Sequence, residues 1–117
     1  MTPAQLAALP SELRILGAIE SGDVYLNGEW LNPDLSGQLL NASGYTEGEG
    51  FKWGGYYPGA AQLSLAILLE YMPVGAATDL YQDFKFRVIN ELPQTNFDVT
   101  LCLRQEIEEI IKLKIIK

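Results

Sequence analysis

Two neighbouring stretches decide the fold: FKWGGYYPGAAQLSLAILLEYM (residues 51–72) and AATDLYQDFKFRVINELP (residues 76–93). The first runs from a glycine- and aromatic-rich loop into a segment that is apolar on nearly every side. Ala61, Leu65, Leu68 and Met72 form one helical stripe and Leu63 with Ile67 a second, broken only by Gln62, Ser64, Glu70 and Tyr71. A helix with that pattern, expected over residues 59–72, is buried on most sides, and Pro73 and Gly75 end it. The second stretch predicts an amphipathic helix over residues 76–92 with Leu80, Tyr81, Phe84, Val88 and Leu92 turned inward. Asp79 and Asp83 sit near its positive N-terminal end, a favourable placement against the helix dipole.

Further along, residues 103–116 predict a last helix with Ile107, Ile110 and Ile111 facing the core and Glu108 paired to Lys112 one turn on. Ile115 and Ile116 are left without cover, which suggests a partner subunit and hence a homodimer. Towards the N-terminus, residues 23–31 read as a β-hairpin. Val24-Tyr25-Leu26 and Glu29-Trp30-Leu31 flank Asn27-Gly28, the pair that best supplies positive φ at both central positions of a tight turn. A two-stranded ribbon is marginal in water, so it must pack on the helices. Thr2 and Pro3 make a helix start. Beyond Pro10, the spacing of Leu13, Leu16 and Ile19, with Ile15, predicts a second helix over residues 11–20, ended by Ser21 and Gly22. Residues 32–50, with Pro33 and four glycines, read as a long loop with a short strand near residues 38–40. The expectation is therefore an N-terminal helical extension (residues 1–22) and a single α+β domain (residues 23–117). In that domain three to four helices surround the helix at 59–72, with the hairpin packed on them.

A chain of 117 residues is one domain, long enough to bury a core without disulfides or metal. It carries 15 acidic against 8 basic residues, a net charge of −7, and Arg14 and Lys52 are the only cationic side chains before residue 60. Such a surface repels phosphate backbones, so no direct nucleic-acid binding is expected. Histidine does not occur, which removes the commonest general base, the commonest zinc ligand and every Ser-His or Cys-His pair. Cys102, between Leu101 and Leu103, reads as a small buried hydrophobe. The apolar run at residues 63–72 is too short to span a bilayer and contains Glu70, and no secretory signal is read. The expected setting is cytoplasmic, with no membrane, metal or cofactor.

The two stretches resemble a small family of unknown function found in bacteria and their mobile elements. Its signature runs close to F-x-W-G, a glycine-rich turn, and then A-Q-L-x-L-A-I-L-x-x-Y, followed by L-Y-x-x-F-K-x-x-V-I-x-x-L-P. The matching residues are Phe51, Trp53, Gly54, Gly59, Ala61, Gln62, Leu63, Leu65, Ala66, Ile67, Leu68 and Tyr71, then Leu80, Tyr81, Phe84, Lys85, Val88, Ile89, Leu92 and Pro93. The likeness covers about residues 24–111 and departs from the family at Gly55, Tyr56, Tyr57, Pro58 and Ala60, inside the loop. It implies no activity, because the family has none established.

The loop at residues 44–59 is the candidate surface. Its glycines allow close approach by a partner, and Trp53, Tyr56 and Tyr57 offer flat contact area at low entropy cost. The plainer reading has Phe51 and Trp53 plugging the core. The loop precedes a helix N-terminus but lacks a phosphate-loop pattern, and Glu47 and Glu49 oppose an anion. Gln62, an amide on a helix built for burial, is expected to tie down neighbouring backbone rather than to catalyse. Glu70, Asp79 and Asp83 have no spacing that marks an acid–base pair, and Lys85 could meet Glu70. No catalytic residue is assigned. The leading expectation is a non-enzymatic protein-interaction module using the loop. The alternative is a small-molecule binder with a pocket between that loop and residues 60–63.

Overall fold

The computed structural model describes residues 1–40, 50, 51, 53 and 58–116. The chain opens with α1 (Pro3–Ala7), where the Gln5 amide N–H donates to Thr2 Oγ1 and the Thr2 N–H to Gln5 Oε1, a reciprocal cap. Three strands follow, β1 (Leu13–Ala18), β2 (Asp23–Leu26) and β3 (Glu29–Trp30), and then α2 (Asp34–Leu40). The remainder is α3 (Pro58–Leu69), α4 (Val74–Arg87), a 3-10 turn (Ile89–Glu91), β4 (Phe97–Leu101) and α5 (Leu103–Ile116). This is the expected α+β class, with a four-stranded antiparallel sheet in the order β3-β2-β1-β4.

Residues 11–20 are not a helix. Leu13, Ile15 and Gly17 alternate with Arg14, Leu16 and Ala18, and β1 pairs with β2 on one side and β4 on the other. The supposed helical extension thus contributes an interior strand of the sheet. Leu16 completed the apparent helical stripe, yet the strand places it on the face away from the core. Gly17 fits because the Phe97 ring occupies the place a Cβ would need. Gly22, at φ +73°, turns the chain into β2 and packs backbone to backbone on Gly50, while the Phe51 N–H donates to Gly22 O at 2.8 Å. The Asn27-Gly28 turn forms as expected, with φ of 49° and 86°.

Residues 34–40 are helical, not a loop with a strand. Asn32 Oδ1 accepts the Asp34 N–H at 2.9 Å, and Asp34 lies in the first turn, where acid is favoured. The buried residues of α2 are small, Ser36 and Gly37, which lets α2 lie close on α3. In α3, Ala60, Leu63, Leu65, Ala66, Ile67 and Leu68 are all buried, and Ser64 Oγ donates to the Tyr81 carbonyl at 2.6 Å, tying α3 to α4. Residues 76–92, expected as one helix, divide into α4 and the 3-10 turn; Leu80, Phe84 and Leu92 are buried, Tyr81 and Val88 partly so. One hydrophobic core joins these helices to Leu13, Ile15, Val24, Leu26 and Phe97 on the inner sheet face, with Ile107 and Ile110 of α5. Cys102 is half-buried, and its Sγ accepts the Gln105 N–H at 3.4 Å at the start of α5. Lys112 pairs with Glu109 at 3.7 Å rather than with Glu108.

Candidate functional site

Of the residues that the loop reading singled out, two are engaged inside the fold. Trp53 is 1% exposed; its Nε1 donates to the Thr95 carbonyl at 3.1 Å and its ring meets Phe97 edge-on with centroids 5.0 Å apart. Gln62 is 4% exposed, and its Nε2 donates at 3.0 Å to the Pro33 carbonyl, which also accepts from Ser36 Oγ and the Gly37 N–H. Gln62 thereby fixes the start of α2 against α3. Tyr56 and Tyr57 lie outside the described residues, as do residues 41–49 of the loop region. Glu70, Asp83 and Lys85 do not converge: Asp83 and Asp79 both face Lys114, at 3.5 and 3.7 Å, and Lys85 Nζ stands 4.5 Å from the Phe86 ring centre. Among the described residues no group of three or more acidic or cysteine side chains is placed to hold a metal ion.

The exposed chemistry lies instead on the outer face of the sheet. The two-residue turn sets Tyr25 opposite Trp30, and β1 sets Leu16 opposite Tyr25, so the three side chains form one row across three strands. Trp30 is 54% exposed and Tyr25 37%, while Leu16 is half-buried. Asp98 continues the row on β4. Arg14 grips it through two bonds, Nε to Oδ1 at 3.0 Å and Nη2 to Oδ2 at 2.7 Å. That bond lowers the Asp98 carboxyl below its ordinary value and raises the Arg14 guanidinium. Beside Arg14 and Leu16, Glu12, Asn27, Gly28 and Thr100 border a broad, shallow hollow.

At the other end of the row, Trp30 Nε1 donates to Asp23 Oδ1 at 3.1 Å. This pair forms one wall of a tighter cleft of about 100 Å³, closed by Pro33, Asp34 and the returning Gly50-Phe51 segment. On α2 nearby, Leu35 and Leu39 stand exposed one turn apart. Across β3, burial first, then Glu70 and Glu29, raise the Tyr71 phenol above its ordinary value. The sequence carried the signal for this face. Tyr25 is the outward residue between the inward Val24 and Leu26, and the register of a two-residue turn brings Trp30 beside it.

These features define a small α+β domain whose antiparallel sheet is packed by helices on one face and presents an aromatic row on the other. The chain belongs to a family of unknown function, DUF6166, whose sequence profile matches residues 18–113. Comparison with curated proteins and with solved structures found no match.

Proposed function

We propose that this chain is a non-enzymatic protein-interaction module whose contact surface is the open face of its sheet. The observation that carries this reading is the Trp30-Tyr25-Leu16 row, apolar and aromatic side chains set side by side with no chain of their own to cover them among the described residues. Aromatic anchors of this kind dominate protein interfaces because they bury much area for little lost freedom. Tyr56 and Tyr57 extend the proposal to the loop at residues 44–59, whereas Trp53 and Gln62 are accounted for by the core. The rival small-molecule reading places a pocket between the loop at residues 44–59 and residues 60–63, and most of that loop lies outside the described residues. A homodimer would form through Ile115, exposed near the end of α5 with Leu113, and through Ile116, whose side chain lies outside the described ones. A monomer mass that does not vary with concentration in light scattering removes it.

The test is affinity capture from extract of the native host, comparing the wild type with Leu16→Glu/Tyr25→Ser and with Tyr56→Ala/Tyr57→Ala. The sheet-face variant is expected to lose a partner that the wild type retains. Loss only in the loop variant would move the contact to the loop. Equal capture by all three would sink the interaction reading.

A further inference from the structure

We propose that the free edge of β4 pairs with β4 of a second copy of this chain, joining two sheets into one. The pairing of β1 tells which backbone groups face that edge. Arg14 donates its N–H to Asn27 Oδ1 and its carbonyl accepts the Asn27 N–H, so both its groups point towards β2. Alternation then turns Leu13, Ile15 and Gly17 towards β4, where they face Leu101, Val99 and Phe97. The Ile19 N–H, which reaches Asn96 Oδ1, follows the same alternation. The N–H and C=O groups of Asp98 and Thr100 therefore point away from the sheet. Both residues are exposed, and no hydrogen bond among the described residues reaches these groups. Natural edge strands are blunted by shortness, proline, lysine or a bulge. β3 is two residues long with Pro33 close behind. By contrast, β4 runs five residues in unbroken register without proline or lysine, and the charge of Asp98 is turned back onto Arg14.

A second copy fits this edge because the strand complements itself. With Val99 opposite Val99 on a two-fold axis, Asp98 lies opposite Thr100 of the second copy, and Thr100 opposite its Asp98. Each of these two pairs exchanges two backbone hydrogen bonds, and no carboxylate meets another. On the inner face Phe97 meets Leu101, and the partly buried Val99 and Leu101 gain cover. A slide that set Asp98 against Asp98 would oppose like charges.

The test is sedimentation equilibrium of the full chain from about 1 to 500 µM, the range in which a small interface associates. The wild type is expected to move from the monomer mass towards twice that mass. Thr100→Pro removes an outward donor and no bond to β1, which an edge strand tolerates. It should weaken the dimer at least about tenfold and leave the urea midpoint near that of the wild type. Oxidation in a Cys102→Ser background checks the register. Val99→Cys sets two thiols across a non-hydrogen-bonded pair, within reach of a disulfide, and should cross-link. Thr100→Cys, more exposed but offset by two residues from its own copy, should not. If Thr100→Pro lowers the urea midpoint, the cross-linking contrast decides. A monomer at every concentration, a dimer indifferent to Thr100→Pro, or equal cross-linking by the two cysteines would overturn the assignment. A dimer lost in Ile115→Glu but kept in Thr100→Pro would move the contact to α5. A chain that stays monomeric yet loses a host protein on Thr100→Pro would give the edge to a different partner, which also overturns the second copy. Trp30, Tyr25 and Leu16 take no part in the edge, so the sheet-face reading stands or falls separately.

Discussion

Trp53 and Trp30 carry the same ring into opposite environments, and their substitutions should separate cleanly. Trp53→Ala removes a fully buried indole, its edge-on contact with Phe97 and the donor to Thr95 O. Large-to-small changes of this kind cost about 3–5 kcal/mol. Trp30→Ala removes a ring already half in water and should stay within about 0.5 kcal/mol. Urea titrations followed by far-ultraviolet circular dichroism check both; comparable midpoint shifts in the two variants would contradict the assignment of core and surface. The same contrast explains what residue type alone left open. An aromatic beside glycines has the composition of a contact loop whether it points in or out. What places Trp53 inward is Thr95 and Phe97, more than forty positions away, and no local pattern contains them. Trp30 was the more legible of the two, because alternation and the Asn27-Gly28 turn fix its side of the sheet.

At the scale of elements, the glycines test the turns. Gly22 holds a positive φ and touches the backbone of Gly50 and Phe51, so Gly22→Ala suffers both strain and a clash with atoms that cannot rotate away. It should destabilise by more than about 1 kcal/mol. Gly75, in the first turn of α4, has open space where a Cβ would go. Gly75→Ala should therefore stabilise by about 0.4–1 kcal/mol. Thermal midpoints moving in opposite directions are the expected result, and a stabilising Gly22→Ala would refute the packing described for the β1–β2 turn. The helices at 58–69, 74–87 and 103–116 were readable because their apolar periods are long and their ends carry proline, glycine or a change of pattern. Short elements were not. β1 offers six residues in which Leu16 makes the helical and strand periods equally good, and α2 hides its buried face behind Ser36 and Gly37. In β4 the alternation of Phe97, Val99 and Leu101 with Asp98 and Thr100 was a usable strand signal, although nothing local names β1 as its partner.

At the scale of the whole molecule, stability should depend on pH at its alkaline end through Tyr71. Its phenol ionises above the ordinary value in the folded state, because burial and the nearby Glu70 and Glu29 oppose a second negative charge. The folded chain then holds its proton more tightly than the unfolded one. The contribution is complete below the ordinary tyrosine range and is lost as pH rises through the folded value. Tyr71→Phe should flatten the fall in urea midpoint above about pH 10 relative to the wild type; parallel curves would remove Tyr71 as a source. The larger dependence is topological. Residues 1–22 supply Leu9, Leu13 and Ile15 to the core, each no more than 1% exposed, and β1 is the strand through which β2 and β4 are joined. Burial of three such side chains contributes about 5–9 kcal/mol. Natural domains hold only about 5–15 kcal/mol in total. A chain beginning at residue 23 also leaves both flanking strands with unpaired edges. It should show no cooperative unfolding transition by heat or urea, although the profile of its family starts only at residue 18. Removing Met1 alone should leave the midpoint unchanged. A truncated chain that still unfolded cooperatively near the wild-type midpoint would mean that the sheet does not need β1, contrary to the register that places Ile15 between Leu26 and Val99.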